Sequence, residues 1–408
     1  MSNAPPVSLR RSISLPLLVL YGLGTTIGAG IYALMGAVAG AAGMHAWLAF
    51  ATASLLVAAS AASFAELAAR YPRSAGEAVY VREGLGSSGL ATAVGLLVVL
   101  AGCVSSATIA NAFVGYLGAV VEVPRALGIA VFVGLLGGIA FWGVRESVWV
   151  AAVVTLLEVA GLVLVVIFAA DALADLPRRA AELAPPSQGG AWYGIFAASF
   201  LAFYAFIGFE DMVNMAEEVR DVRRTLPLAI FVTLAVTTLL YVLLALVAVL
   251  SVAPAELAAS DAPLVSIYER VGGPFPDALA AIGVIAMGNG ALIQLIMASR
   301  VLYGLADQGA LPRVLGRVHS RTRTPHWATA AGAGLVLVLA LGFPLASLAH
   351  ATSVITLVVF GLVNLALLRL QARVPLPAGV RGAPRAVPVL GFLACAAALA
   401  WELARRLT

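Results

Sequence analysis

The sequence predicts an all-α polytopic membrane protein made of two inverted five-helix repeats and about one extra C-terminal helix. Apolar residues dominate the chain, and they fall into eleven stretches that are each long enough to cross a bilayer. The first and the sixth stretches both contain segments that break helices. Breaks at matching places in the two halves of a chain are typical of inverted repeats.

The composition excludes a water-soluble protein. Of the 408 residues, 62% are hydrophobic and 11% are charged, and the mean hydropathy is +1.03. A soluble domain is typically about 25% charged. All 24 basic residues are arginines, so no lysine can take part in chemistry or ion coupling. They are scattered between apolar runs, and we therefore expect lipids, and no nucleic acid, as partners.

The apolar stretches are candidate spans because a helix needs about 20 mostly apolar residues to cross the hydrocarbon core. They cover residues 14–40, 46–68, 88–119, 126–144, 147–170, 191–216, 226–252, 276–305, 326–343, 346–369 and 386–404. The first exceeds the roughly 7–15 apolar residues of a signal peptide, so we expect it to be retained. We expect one membrane domain over 1–408, with repeat 1 at 14–170, repeat 2 at 191–370, and a connection with an extra span at 371–408.

The arginines predict the orientation. With the N-terminus inside and the spans alternating, 18 arginines fall in inside loops and 6 in outside loops. Positively charged loops stay in the cytoplasm, so we expect a cytoplasmic N-terminus in a prokaryotic inner (cell) membrane. The amphipathic segment Tyr71–Gly86 is then an interfacial helix or elbow on the inside. The Pro- and Arg-rich stretch Leu370–Pro388 would be a cytoplasmic connection to a dispensable last span.

The first span contains the segment Gly22–Gly30, with four glycines and two threonines. Each glycine costs a helix about 1 kcal/mol relative to alanine, so the helix can unwind here. Unwound backbone inside a membrane must be satisfied by protein, water or a ligand. The alternative is that these glycines form a close-packing face between helices.

The sixth span contains the segment Phe203–Asp211, in which Gly208 precedes Glu210 and Asp211. Carboxylates at membrane depth are costly and indicate function. Spans one and six have opposite orientations, as expected of inverted repeats that each open with a broken helix. The N-termini of the half-helices attract an anion, and freed carbonyls attract a cation. A zwitterionic amino acid offers both charges.

Four motifs, in this order, carry a resemblance to a known family. They are Gly24–Tyr32; Phe64–Leu67 with Tyr71–Tyr80; Phe206–Glu210 with Ala216–Pro227; and Ser299–Pro312. Along nearly its whole length the chain resembles the amino acid permeases of the amino acid–polyamine–organocation (APC) transporter superfamily. The resemblance implies a leucine-transporter-type fold and secondary active transport of amino acids by alternating access.

The resemblance also implies the substrate-binding residues. Matched position by position, they are Thr25, Thr26, Gly28, Ala29 and Gly30 of the first span, Gly102 and Ser106 of the third, and Tyr204, Phe206, Ile207 and Gly208 of the sixth. The first-span backbone would hold the carboxylate, and carbonyls near Thr26, Tyr204 and Ile207 would bind the amino group. Tyr204 and Phe206 would be aromatic lids over the side chain.

Two glutamates are candidates for coupling or gating. Glu210 matches a glutamate that members of the superfamily use in gating or proton linkage. Glu158, located by counting from Glu146-Ser147, stands where some proton-coupled members have a lysine. A carboxylate cannot replace that built-in cation, but a buried one could bind a proton or help bind a cation. The alternative is that both are neutral glutamates that fasten helices together.

Several functions fit these expectations. The first is a proton-coupled symporter of neutral amino acids, with sodium as the alternative ion. An exchanger, or a carrier of cationic amino acids or polyamines, fits the same fold, and a sensor or channel fits less well. We expect no enzyme, because no nucleophile–base pair lies at membrane depth. No cofactor or metal site is expected either, since the two cysteines and four histidines lie far apart. The sequence does not predict the oligomeric state.

Overall fold

The computed structural model describes residue 11 and residues 13–73, 76–118, 121–142, 148–187, 189–307, 309–322 and 324–407. Some residues on which the sequence predictions depend lie outside these ranges. They are Arg10, Ser74, Ala75, Arg145, Glu146, Ser147, Gln308 and Arg323. The described chain is all-helical apart from loops and one isolated β-bridge.

Fifteen α-helices lie within the described residues. They are α1 (Leu15–Ala42), α2 (Ala46–Arg70), α3 (Gly76–Leu85), α4 (Ser88–Gly118), α5 (Arg125–Trp142), α6 (Val148–Phe168), α7 (Leu176–Leu183), α8 (Gly189–Tyr204), α9 (Val222–Ser251), α10 (Pro254–Ala259), α11 (Pro263–Arg270), α12 (Pro276–Asp307), α13 (His326–Gly342), α14 (Leu345–Arg373) and α15 (Ala386–Leu407). Ten of the eleven predicted spans each overlap one helix, and the sixth, 191–216, is divided between α8 and a 3₁₀ helix at Phe209–Met215.

The number of helices that cross the membrane stays a prediction. In the described ranges, eight helices are long and apolar enough to cross, or nine if a bent pair counts as one span. That count takes Leu15–Arg70 as a single stretch, although it holds two predicted spans. Helix α13 is apolar, but with 17 residues it is shorter than these eight stretches. The chain is therefore a multi-pass membrane protein, while the figure of eleven spans and the repeat boundaries stay predictions.

Helix α5 illustrates the lipid-facing surface. Leu127, Val131, Leu135 and Ile139 are all exposed, and each is four residues from the next. Residues four apart share one face of a helix, so they form an apolar stripe. Such a stripe is favourable where the neighbour is hydrocarbon.

Both predicted breaks are present. Within α1, Gly28 has φ −17° and ψ −135°, which are not helical values. Helix α8 ends at Tyr204, and Gly208 follows with φ 123° before a short 3₁₀ helix at Phe209–Met215. The first and sixth spans are therefore broken helices.

The ends of these two broken spans lie together. The amide of Ile13 donates to the carbonyl of Glu218 over 3.0 Å, and the amide of Arg220 donates to the carbonyl of Ile13 over 3.0 Å. The segment before the first span therefore lies beside the segment after the sixth. The two spans run in opposite directions, as inverted repeats require.

The last helix is more firmly packed than the sequence analysis anticipated. Helix α15 lies against α2 and α14. Asn364 donates to Ser60, and Ser60 contacts the sulfur of Cys395 over 3.7 Å. That the last span is dispensable stays a prediction.

A buried ion pair anchors the connection that leads to this helix. Glu66 and Arg70 have side-chain exposures of 1% and 4%, and their charged atoms lie 2.7 Å apart. The second carboxylate oxygen of Glu66 accepts from Gln371 over 2.8 Å and from the amide of Ala383 over 2.7 Å. One carboxylate thus joins α2, α14 and the Pro-rich connection.

Candidate functional site

A small cavity lies where the two broken helices meet. Its volume is about 20 Å³, which is room for about one water molecule. Its walls come from α1, α4, α8, the break after α8, and α12. The lining residues are Thr25, Thr26, Ala29, Gly30, Ser105, Ile109, Tyr204, Ile207, Gly290, Ile293 and Gln294. We call this the first cavity.

A second cavity of about 30 Å³ adjoins the first. Both are lined by Ser105, Ile207 and Gln294. The second cavity also reaches three carboxylates, those of Glu77, Glu210 and Asp211. Its remaining lining residues are Val98, Ala101, Gly102, Met297, Thr352, Thr356, Val359 and Phe360.

Hydrogen bonds join the two breaks. The hydroxyl of Thr25 lies 2.9 Å from the carbonyl oxygen of Gly208. The amide of Gly208 donates to a carboxylate oxygen of Glu210 over 2.8 Å. A Cβ at Gly208 would stand 2.6 Å from the carbonyl carbon of Thr25, and the positive φ also disfavours a side chain there. Gly208 is therefore a close-contact residue between the breaks.

The hydroxyl of Tyr241 on α9 satisfies backbone from both breaks. It lies 2.9 Å from the carbonyl oxygen of Thr26 and 3.0 Å from that of Ala205. A carbonyl oxygen has two lone pairs, so the Thr26 carbonyl can still accept a bond from an amino group. The hydroxyl of Thr26 itself is buried and has no partner among the described residues.

The first-span glycines have different surroundings. A Cβ at Gly30 would stand 2.7 Å from Cα of Ala205, so this glycine permits the close approach of the two broken helices. Gly28 is the residue at which α1 breaks, and no atom lies within 4 Å of where its Cβ would be. Gly30 lines the first cavity, whereas Gly28 does not.

The third-span serine that reaches the cavities is Ser105. Its hydroxyl lies 3.0 Å from the hydroxyl of Tyr204. Ser106, named from the resemblance, is fully buried, donates to the carbonyl of Ala291 over 3.1 Å and lines neither cavity. A shift of one residue turns a side chain by about 100° around a helix, which separates the two serines.

The contacts of Phe206 and Gly102 show where these two predicted residues lie relative to the cavities. Phe206 is fully buried and stands edge-on to Tyr241, with ring centres 5.1 Å apart, and it lines neither cavity. Gly102 lines the second cavity, where a Cβ would stand 3.3 Å from the side-chain oxygen of Gln294. Thr25, Thr26, Ala29, Gly30, Tyr204 and Ile207 line the first cavity.

The three carboxylates of the second cavity come from two elements. Glu77 lies on α3, whereas Glu210 and Asp211 lie on the 3₁₀ segment after the second break. Burial raises the pKa of Glu77 from 4.5 to about 7. No arginine is among the described residues that line this cavity. The acids therefore face one another with no basic partner in the lining.

Glu158 lies elsewhere. It is fully buried on α6, and its backbone carbonyl accepts from the hydroxyl of Tyr32 over 2.8 Å. Its side chain interacts with Asn289 of α12, but neither carboxylate oxygen has a partner at hydrogen-bond geometry among the described residues. Glu158 lines neither cavity, so its coupling role stays a prediction.

Several lining residues escaped the sequence analysis. Asp211 was noted without a role, and Glu77 was visible as an acid in an amphipathic segment. Ile109 lies in the middle of α4 with no local pattern to mark it. Gln294 could have been found as a long polar side chain within a predicted span, because such residues face the protein interior.

Known proteins that are similar to this chain include amino acid permeases and transporters. The family described as "Amino acid permease" matches residues 13–401. A branched-chain amino acid permease of Bacillus subtilis (strain 168) is 28% identical over 95% of this chain and 87% of its own length. A mitochondrial cationic amino acid transporter 3 of Arabidopsis thaliana is 29% identical over 90% of this chain and 63% of its own length.

A solved structure is similar over nearly the whole fold. The crystal structure of MhsT in complex with L-phenylalanine aligns with a TM-score of 0.66 at 14% identity, covering 97% of this chain and 99% of that one. At this identity the likeness shows the fold alone, which is of the leucine-transporter type.

Proposed function

The chain belongs to the amino acid permease family, and we propose that it carries neutral amino acids by proton-coupled alternating access. It is a carrier rather than an enzyme. It lies in the inner membrane of a prokaryote with its N-terminus in the cytoplasm. This orientation follows from the excess of arginines in the predicted inside loops.

The first cavity is the observation that carries this proposal. It joins the unwound backbone of two broken helices, which suits the carboxylate and amino groups of an amino acid. The free hydroxyl of Thr26 adds a hydrogen-bonding group. None of the described residues that line this cavity is charged, which favours a neutral side chain.

The size of the cavity supports alternating access. At about 20 Å³ it is far too small for an amino acid, so the helices around it must separate before a substrate can enter. The two broken helices touch at Gly30 and Gly208 and are held by hydrogen bonds that can break and re-form.

The carboxylates of the second cavity support proton coupling. Three acids in one small cavity repel one another when they are all ionised, so they share protons. The second cavity adjoins the first. A change in the charge of the second cavity therefore alters the electrostatic energy of a substrate bound in the first. Glu210 touches the second break directly through the amide of Gly208.

The same carboxylates favour a second candidate, a carrier of cationic amino acids. A long cationic side chain in the first cavity could extend past Ile207 into the second and meet Glu210 or Asp211. The cationic amino acid transporter among the relatives is consistent with that alternative. An exchanger would use the same site without net proton movement.

Uptake into proteoliposomes tests the proposal. Labelled alanine, leucine, phenylalanine, arginine and lysine would be offered with an inward proton gradient, with a sodium gradient, and with neither. We expect uptake of neutral substrates to rise with the proton gradient and to collapse with an uncoupler. Preference for arginine would support the second candidate, and uptake that needs internal amino acid whatever the gradient would indicate an exchanger.

The variant Glu210→Gln sharpens this test. It removes an ionisable group at the break and keeps its size, so we expect uptake to be lost or to become independent of the proton gradient. Glu182→Gln is the control, because Glu182 is an exposed carboxylate paired with Arg179. Wild-type uptake with unchanged pH dependence in Glu210→Gln would remove Glu210 from the coupling mechanism.

A further inference from the structure

Gln294 connects the two cavities to an acid. It lies on α12 and lines both cavities, and its Nε2 donates to Oδ2 of Asp211 over 3.2 Å. Its Oε1 lies beside Gly102 of α4, at 3.3 Å from where a Cβ would be. The carboxamide is therefore held between a carboxylate on one side and a glycine that leaves it room on the other.

The chemistry of the pair depends on the protonation of Asp211. An ionised carboxylate only accepts hydrogen bonds, so it binds the N–H groups of the carboxamide. A protonated carboxyl group also donates an O–H, and where the carboxamide is the partner of that O–H it accepts through its oxygen. Protonation of Asp211 thus favours a half-turn of the carboxamide, which exchanges its donor and acceptor sides.

The surroundings of Asp211 contain other acids. Glu77 approaches from α3, Glu210 precedes Asp211 in the chain, and both line the second cavity with it. From α12 the group that contacts it is Gln294. With no arginine among the described lining residues, a bound proton can neutralise part of the charge of this cluster.

We propose that Gln294 is a positioning residue that transmits the protonation of Asp211 to the substrate in the first cavity. With Asp211 protonated, the amide N–H groups point away from Asp211 and favour a carboxylate. With Asp211 ionised, the amide oxygen points away from Asp211 and disfavours a carboxylate. Proton and substrate then strengthen each other's binding, as symport requires. This inference rests on the proposed function, because it assumes an amino acid in the first cavity.

Equilibrium binding at several pH values tests it on the purified full-length protein. Labelled alanine, leucine and phenylalanine serve as probes between about pH 5.5 and 8.5. We expect wild-type affinity to fall about two- to tenfold as the pH rises, which is the effect of one ordinary hydrogen bond. In Asp211→Asn and in Gln294→Leu the affinity should no longer depend on pH. The double variant should add nothing further, because both changes break the same link.

A control and a second variant make the result specific. Ser105→Ala alters a residue that lines both cavities, and it should keep the pH dependence whatever its affinity. Gln294→Glu keeps the size of the side chain if Gln294→Leu does not fold. It places another carboxyl beside Asp211, so the midpoint of the pH dependence should move to higher pH.

The outcomes separate this inference from the proposed function. If Gln294→Leu or Gln294→Glu binds with the wild-type pH dependence, or if wild-type affinity is the same at every pH, Gln294 does not transmit protonation. The carrier itself would be unaffected by that result. If no amino acid binds to the wild type at any pH and none is taken up, the proposed function fails and this inference fails with it.

Discussion

The hydroxyl of Tyr241 lies 2.9 Å from the carbonyl oxygen of Thr26, at the point where the first span breaks. The same hydroxyl lies 3.0 Å from the carbonyl of Ala205, at the break of the sixth span. One side chain on α9 therefore holds the unwound backbone of both broken helices. Backbone groups left without a partner at this depth would cost several kcal/mol.

Tyr241→Phe should weaken this arrangement. The ring can keep its contacts with Phe50 and Phe206, but the two carbonyls lose their shared donor. We expect substrate affinity to fall and stability to drop by about 1–3 kcal/mol. Thermal unfolding and substrate binding would measure this. Tyr116→Phe is the matched control, because its hydroxyl donates to the carbonyl of Tyr32 outside both cavities. It should lose stability while substrate binding persists.

Gly208→Ala should disrupt the contact between the breaks. A methyl group would stand 2.6 Å from the carbonyl carbon of Thr25, and the φ of 123° is unfavourable for alanine. We expect a loss of about 1–3 kcal/mol in stability and the loss of substrate binding. In Gly288→Ala, the control, the added methyl group meets no atom within 4 Å, and the position is helical. Equal stability of the two variants would contradict this account of Gly208.

Glu77 should make the stability depend on pH. Burial raises its pKa from 4.5 to about 7, so the folded protein holds this proton more tightly than the unfolded chain. The contribution of Glu77 is therefore full below about pH 4.5 and is lost as the pH rises to about 7. The difference is about 3 kcal/mol between these limits.

Melting curves of Glu77→Gln at a series of pH values would check this prediction. The wild type should lose more stability than Glu77→Gln over that pH window, because the variant lacks the titrating group. Glu83→Gln alters a more exposed acid on the same helix and should behave like the wild type. Parallel curves for the wild type and Glu77→Gln would show that Glu77 does not hold its proton in the folded protein.

Glu66→Ala should be strongly destabilising. It leaves the nearly buried Arg70 without a counter-ion and removes the acceptor of Gln371 and Ala383. Breaking a buried pair in this way typically costs about 3–5 kcal/mol. Glu182→Ala breaks the exposed pair with Arg179 and should leave the stability nearly unchanged. Thermal unfolding of both variants would decide whether Glu66 anchors the connection to α15.

The helices and the two breaks could be predicted from the sequence because both are local properties. Long apolar runs become helices in a membrane, since every backbone group must then be satisfied within its own segment. The glycines from Gly22 to Gly30 and Gly208 weaken a helix whatever surrounds them. The family match over residues 13–401 confirms the predicted resemblance to the APC transporter superfamily.

The cavity lining could be predicted less well. The resemblance implied Ser106, but the rotation of α4 turns Ser105 towards the cavities. It named Phe206 as a lid, but that ring packs on Tyr241. It gave no role to Gln294, which becomes informative only beside Asp211, 83 residues away in the chain. Helix rotation and long-range contacts decide these placements, and neither leaves a local pattern.

The sequence by itself determined that this protein is multi-pass and helical, with spans one and six broken, and its motifs carried the resemblance to the amino acid permease family. Hydrophobicity and glycine content act on each segment independently, so they can be read along the chain. The tertiary structure alone decided that Tyr241 bridges the two breaks and that three acids share one cavity with Gln294. Those relationships depend on how helices pack across the membrane, and close packing fixes the rotation of each helix through contacts with distant residues.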